Sequence, residues 1–152
     1  MIVDIPVKDL LQYLPHRPPM VWISHVASVG KDYKGLAGTC LVDIDDKALF
    51  VSNGEQLRGS SAIEFTAQAF GYLKAAYQVI HKFNDPPRKT YLTGVRSCQT
   101  HFSKLNLHDV SQLEIRVKVL RELLPITYIR GEVFVPGDKS PIASAEIQVY
   151  FD

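Results

Sequence analysis

Cysteine is scarce in this chain. Its 152 residues hold two, Cys40 and Cys98. They lie far apart and outside any C-x-x-C or Cys/His spacing, which excludes a zinc ribbon or a disulfide framework and reads as reduced core thiols. An excess of one charge is also missing. Lys and Arg number 17 against 16 Asp and Glu, a net charge of +1, and the signs are interspersed, so no basic stripe offers itself to nucleic acid. Long apolar runs are absent. The longest apolar region, around Ala67–Ala76, is broken by Gln68 and Lys74 and is too short and too polar to span a bilayer. The N-terminal MIVDIPVKDLLQYLPHRPP has acidic and basic residues and no apolar h-region, so no signal peptide is expected and the expected location is the cytoplasm. The loop GEQLRG (54–59) lacks the lysine and the spacing of a phosphate-binding loop. No histidine occurs between His25 and His81.

What is present describes an ordinary globular protein. Hydrophobic residues make up 46% and charged residues 22%, which argues against disorder, and the length suits one domain with a real core. VKDLLQYL (7–14) reads as a short amphipathic helix, stopped by the proline-rich PHRPP (15–19). MVWISHVASV (20–29) and YKGLAGTCLVDI (33–44) read as strands around a turn at Gly30–Asp32. A polar loop follows. Ser60 or Ser61 then caps a helix running to about Phe83, about 35 Å long at the standard rise, and the Asn84-Asp85-Pro86-Pro87 run ends it. The remainder reads as strand: KTYLTGVRSCQTHF, then QLEIRVKVL and ASAEIQVYF with strict alternation, and ITYIRGEVFV between them, followed by a turn at PGDKSP. A long helix that is apolar all round, followed by antiparallel strands, predicts an α+β single domain over 1–152 in which a curved sheet wraps one central helix.

That helix holds a carboxylate, Glu64, and one turn later an amide, Gln68. Glu64 has two readings. It is either a general acid in an apolar site or the N3 glutamate of an S-x-x-E capping box with Ser61. Gln68 either lines a site with Glu64 or satisfies backbone groups of the surrounding sheet. Ser60 and Ser61 have no nucleophile-elbow context and read as caps.

LPHRPPMVWISHV, then IEFTAQAFGYL with its E-x-x-A-Q pattern at Glu64, Ala67 and Gln68, then YLTGVRS followed by a phenylalanine and Asp109, resemble FabZ-type 3-hydroxyacyl-[acyl carrier protein] dehydratases in order and spacing. The ApeP-like group associated with aryl polyene synthesis is the nearest variant. It shares the Leu-Pro-His opening and a glycine, here Gly59, shortly before the glutamate helix. The resemblance implies a hotdog fold and a dehydratase of fatty-acid or aryl-polyene type. Its substrate would be a thioester on acyl carrier protein phosphopantetheine or on CoA, with no cofactor or metal of its own. It implies Glu64 as the catalytic acid, and Gln68, Gly59 and Phe50 beside the substrate. One departure stands out. The family's Gly-His-Phe-Pro-Gly loop carries its histidine base, and counting back from Glu64 puts Phe50 at that position. His16 belongs to the Leu-Pro-His opening, so it reads as structural, with a role as alternative base kept open. Family sites lie between two subunits, so the expected assembly is a homodimer or a heterodimer with a FabZ-like hotdog subunit that supplies the histidine. Arg58, Arg88 and Lys89 are candidate contacts for a carrier protein. A non-catalytic acyl-binding scaffold and a hotdog acyl thioesterase remain as alternatives.

Overall fold

The computed structural model describes residues 1–15, 20–44, 51–52, 56–57, 59–83, 89–101, 105 and 109–151. The expectations for His16, Phe50, Arg58 and Arg88 fall outside them. The chain forms β1 (Ile2–Pro6), a 3-10 helix (Val7–Tyr13), β2 (His25–Asp32), β3 (Gly35–Asp43), the two-residue strands β4 (Val51–Ser52) and β5 (Gln56–Leu57), helix α1 (Ser61–Ile80), then β6 (Thr90–Thr100), β7 (Gln112–Leu123), β8 (Ile126–Phe134) and β9 (Ala143–Phe151). Seven strands make one sheet in the order β1-β2-β3-β7-β8-β9-β6, antiparallel throughout. It wraps α1, which packs against β2, β3, β6, β7, β8 and β9. This is the hotdog arrangement.

The alternation in the late strands places the core. Leu113, Ile115, Val117 and Val119 of β7 and Ala145, Ile147 and Val149 of β9 are buried, facing Phe65, Ala69, Tyr72, Leu73 and Ala76 of α1. One transverse row of that inner face has two glycines and an alanine around Val117. Gly38 pairs with Val117, Val117 with Gly131, and Gly131 with Ala145. A Cβ on Gly131 would overlap the Thr66 side chain, and one on Gly38 would overlap Ser28 O and come within 2.6 Å of Leu73 Cδ2. The helix therefore lies in a furrow. Thr66 and Leu73 are two turns apart, about 10 Å along the axis. Gly131 and Gly38 are separated by two inter-strand gaps, also about 10 Å. The two lengths agree with a helix that runs across the strands, as its contacts with six of them require.

Several boundaries differ from the sequence expectation. The first turn is at Tyr33–Lys34, because β2 continues to Asp32, which pairs with Gly35. The Asp32 carboxylate accepts from the Lys34 and Gly35 backbone N–H groups at 2.8 and 3.1 Å and closes the turn. Strand β2 begins at His25 because the Trp22 N–H and the Met20 carbonyl are held by the Gln68 side chain. The helix ends at Ile80, before the Asn-Asp-Pro-Pro run. Lys82 adopts a left-handed φ of 56°; its N–H donates to Val79 O and the Phe83 N–H to Gln78 O. That is the two-bond Schellman closure, here without glycine. The short N-terminal helix is 3-10, and the edge strand β1 was not anticipated. Cys40 is buried as expected, and burial pushes its thiol far up; Cys98 is exposed.

Gly131→Ala should destabilise the protein by about 1–3 kcal/mol through overpacking against Thr66. Thr66→Ala in the same chain should recover part of that loss, because it empties the space the new methyl needs. Urea unfolding of the two single variants and the double variant measures the coupling; additivity would mean that the furrow does not set the helix position.

Candidate active site

Glu64 lies in the first turn of α1. The cap is Ser60, in αR conformation and without a side-chain capping bond. This puts Glu64 at N4, one residue too late for the expected capping box with Ser61. Its carboxyl is engaged elsewhere: Gln68 Nε2 donates to Glu64 Oε1 at 2.7 Å.

Gln68 is 1% exposed, and three hydrogen bonds fix its amide. Its Oε1 accepts from the Trp22 backbone N–H at 2.9 Å, while its Nε2 donates to the Met20 carbonyl at 2.9 Å and to Glu64. A backbone N–H only donates and a carbonyl only accepts, so the amide has one allowed orientation. It follows that Glu64 Oε1 is always an acceptor. When Glu64 carries a proton, that proton sits on Oε2. The amide ties down the backbone of the segment before β2 rather than of the sheet, and it bonds the Glu64 carboxyl from below a neighbouring cleft without lining it.

Met20, Trp22, Ser60, Ile63 and Glu64 line a cleft of about 500 Å³. Trp22, the single tryptophan, meets Phe65 edge-on at 5.7 Å between centroids, which sets its ring as an apolar wall. Glu64 is half-buried, within reach of a ligand in the cleft. Gly59 precedes the cap and lies beside β6, its carbonyl 3.9 Å from Cys98 Sγ. Met20, Trp22 and Ile63 were not anticipated as lining; the one available signal was a lone tryptophan just after the proline-rich corner.

Among the described residues, Glu64 is the only titratable side chain lining this cleft. A second cleft of about 510 Å³, bounded by Arg96, Leu120, Arg121, Tyr128 and Gln148, lies elsewhere on the molecule. Among the described residues no cluster of three or more His, Cys, Asp or Glu is placed to hold a metal, and no helix is long and apolar enough to cross a membrane. Among the described lining residues, the Glu64 carboxyl is the group that can exchange a proton with a bound molecule.

Gln68→Glu keeps an acceptor for the Trp22 N–H but sets a carboxyl against Glu64 and the Met20 carbonyl. Repulsion favours the neutral form of the new acid in the fold, raising its folded-state pKa above its unfolded value. The stability it allows is therefore present at low pH and lost as pH rises. Thermal unfolding of Gln68→Glu should approach wild type on acidification and fall well short at neutral pH; a deficit independent of pH would contradict this orientation of the amide.

Known proteins resemble this chain in sequence and fold. The 3-hydroxyacyl-[acyl-carrier-protein] dehydratase FabZ of Shewanella amazonensis is 27% identical over 146 residues, covering 93% of this chain and 88% of its own. Among solved structures, the dehydratase heterocomplex ApeI:P from Xenorhabdus doucetiae superposes with a TM-score of 0.68 at 23% identity, over 97% of this chain and 91% of that one. A thioesterase family protein from Silicibacter pomeroyi gives 0.58 at 13% identity, over 95% and 94%; such likeness is one of fold. The ApeP-like family, described as ApeP dehydratase, matches residues 8–152, nearly the whole chain, and the protein belongs to that family.

Proposed function

We propose that this chain is a half-site subunit of a 3-hydroxyacyl-thioester dehydratase. The observation that carries this reading is the cleft's single carboxyl, held by Gln68 so that only Oε2 can bear its proton. In the reaction, a base removes a proton from C2 of the acyl chain. Glu64 Oε2 gives its proton to the C3 hydroxyl, which leaves as water, and the electron pair of the broken C2–H bond becomes the C2=C3 double bond. Gln68 positions the acid. Gly59 lies before the helix N-terminus, and Met20, Trp22 and Ile63 supply the apolar wall for the acyl chain. Phe50, where the resemblance puts a histidine, can take no proton.

The base then comes from a histidine-bearing hotdog partner. Edge strand β6 offers the place to bind one. Among the described residues its outer edge has no neighbouring strand, it is 11 residues long, and Tyr91, Leu92 and Val95 are each nearly half exposed. A long apolar edge of this kind is expected to be covered by another strand. The ApeI:P structure is itself a dehydratase heterocomplex, which supports assembly with a second, different subunit. The acyl group is carried as a thioester of acyl carrier protein or CoA, no cofactor is needed, and the protein acts as one hotdog domain in the cytoplasm.

The pure chain should dehydrate 3-hydroxyacyl thioesters at least about 10²–10⁴-fold more slowly than a complete site, the contribution of a general base. Adding a hotdog subunit that carries the Gly-His-Phe-Pro-Gly loop should restore turnover, and Glu64→Gln in this chain should remove it while leaving complex formation and unfolding unchanged. Full turnover by the lone chain would reveal a base within it, with His16 the first to test. Undiminished activity of the Glu64→Gln complex would make this subunit a scaffold.

Assembly gives an independent check. Light scattering should show a dimer at micromolar concentration, and Leu92→Lys with Val95→Lys should yield monomers. A wild-type monomer would mean that β6 is not covered by a second copy of this chain.

A further inference from the structure

The second cleft lies on the outer face of the sheet, opposite the one that holds α1. Register builds it: Arg121 of β7 is opposite Tyr128 of β8, Tyr128 opposite Gln148 of β9, and Gln148 opposite Gly94 of β6. The row ends on a residue without a side chain, so it opens at that end. Both flanks carry a bulge. The register skips Leu120 between Val119 and Arg121, and Arg96 between Val95 and Ser97. Bulges re-aim side chains out of the regular pleat, and here they turn two arginines onto one ring. The Arg96 and Arg121 guanidinium carbons each lie 5.5 Å from the centroid of Tyr128.

The charges on this face do not balance around that ring. Arg130 is paired with Glu146 at 3.1 Å and with Glu132 at 3.9 Å, and Arg116 with Glu114 at 2.8 Å. Among the described residues these pairs occupy the carboxylates of β7, β8 and β9 that share the face. Arg96 and Arg121 form no ion pair with a described carboxylate. Both guanidiniums line this cleft and are exposed to solvent, so their N–H donors are open to an anion. The volume of the cleft, about 510 Å³, is in the range of small-ligand sites. The tyrosine ring and the Gln148 amide complete a wall that can stack and hydrogen-bond.

We propose that Arg96, Arg121, Tyr128 and Gln148 form a binding site for the phosphate groups of a phosphate ester. Two guanidiniums lining one cleft suit a ligand with about two negative charges and several acceptor oxygens, which a phosphate or diphosphate provides and a single carboxylate does not. The planar five-donor guanidinium suits such oxygens better than an ammonium does. The site is on the opposite face of the sheet from Glu64, and binding there is read separately from dehydration.

Isothermal titration of the full-length protein at fixed ionic strength, with inorganic pyrophosphate and separately with CoA, tests the site. Saturable one-site binding is expected, weakened at least about tenfold by either Arg96→Gln or Arg121→Gln, and less by Arg121→Lys than by Arg121→Gln. Tighter binding of CoA than of pyrophosphate would identify a nucleotide-linked thioester carrier as the source of the phosphate; equal binding would identify the phosphate group alone. Turnover of a phosphate-free thioester by the reconstituted heterocomplex should be the same with Arg121→Gln, which is on β7 and away from the β6 edge; this separates failure of this site from failure at Glu64. Absence of saturable binding, binding unchanged in the Arg96→Gln, Arg121→Gln double variant, or binding abolished by replacing the ligand's ionic strength with chloride would overturn the proposal.

Discussion

The whole arrangement depends on how closely one helix can approach the sheet. Gly38 and Gly131, with Val117 between them and Ala145 beyond, leave a furrow across the strands, and Thr66 and Leu73 of α1 occupy it. Helix and sheet cannot separate without exposing an inner face rich in Ile, Val and Leu, and burial of that apolar surface is the main stabilising term. Close approach also fixes the helix rotation. With Thr66 facing Gly131, Gln68 turns toward the segment before β2, and Glu64 comes to the mouth of the cleft.

Gln68 links that packing to chemistry. A buried amide must be satisfied, and here its partners are two backbone groups and one carboxyl. The backbone groups dictate which way the amide points, and the amide dictates which carboxyl oxygen can hold a proton. The same bonds take Trp22 and Met20 out of β2 and place them as cleft walls. One side chain thus sets the strand boundary, the shape of the cleft and the orientation of its acid.

Much of this was legible in the sequence. Strict alternation in β7 and β9 gives their inner faces, the apolar helix gives the centre of the fold, and the E-x-x-A-Q pattern puts Glu64 and Gln68 on one helical face. Other features were hidden for physical reasons. The S-x-x-E spacing at Ser61 and Glu64 fits a capping box, but the cap falls one residue earlier, a distinction made by backbone geometry. Helix termination at Lys82 lacks the usual glycine, so no residue type announced it. Strand β2 looked longer because alternation cannot reveal that a side chain from 46 positions away claims the Trp22 N–H. The transverse row around Val117 draws on four strands scattered along the chain and is invisible until they are in register. The outer-face arginines, Arg96 and Arg121, are ordinary surface residues in sequence; two bulges bring them to one ring.

Glu64 as the acid of a shared site makes a geometric demand that a single structure can meet or refuse. In a crystal structure of the heterocomplex with a non-hydrolysable 3-hydroxyacyl thioester mimic, the C3 oxygen should lie within hydrogen-bond distance, about 2.6–3.2 Å, of Glu64 Oε2, with Oε1 still held by Gln68 and a partner histidine facing C2. A ligand whose C3 oxygen is bound away from Glu64, or bonded to Oε1 with the Gln68 contact broken, would contradict it.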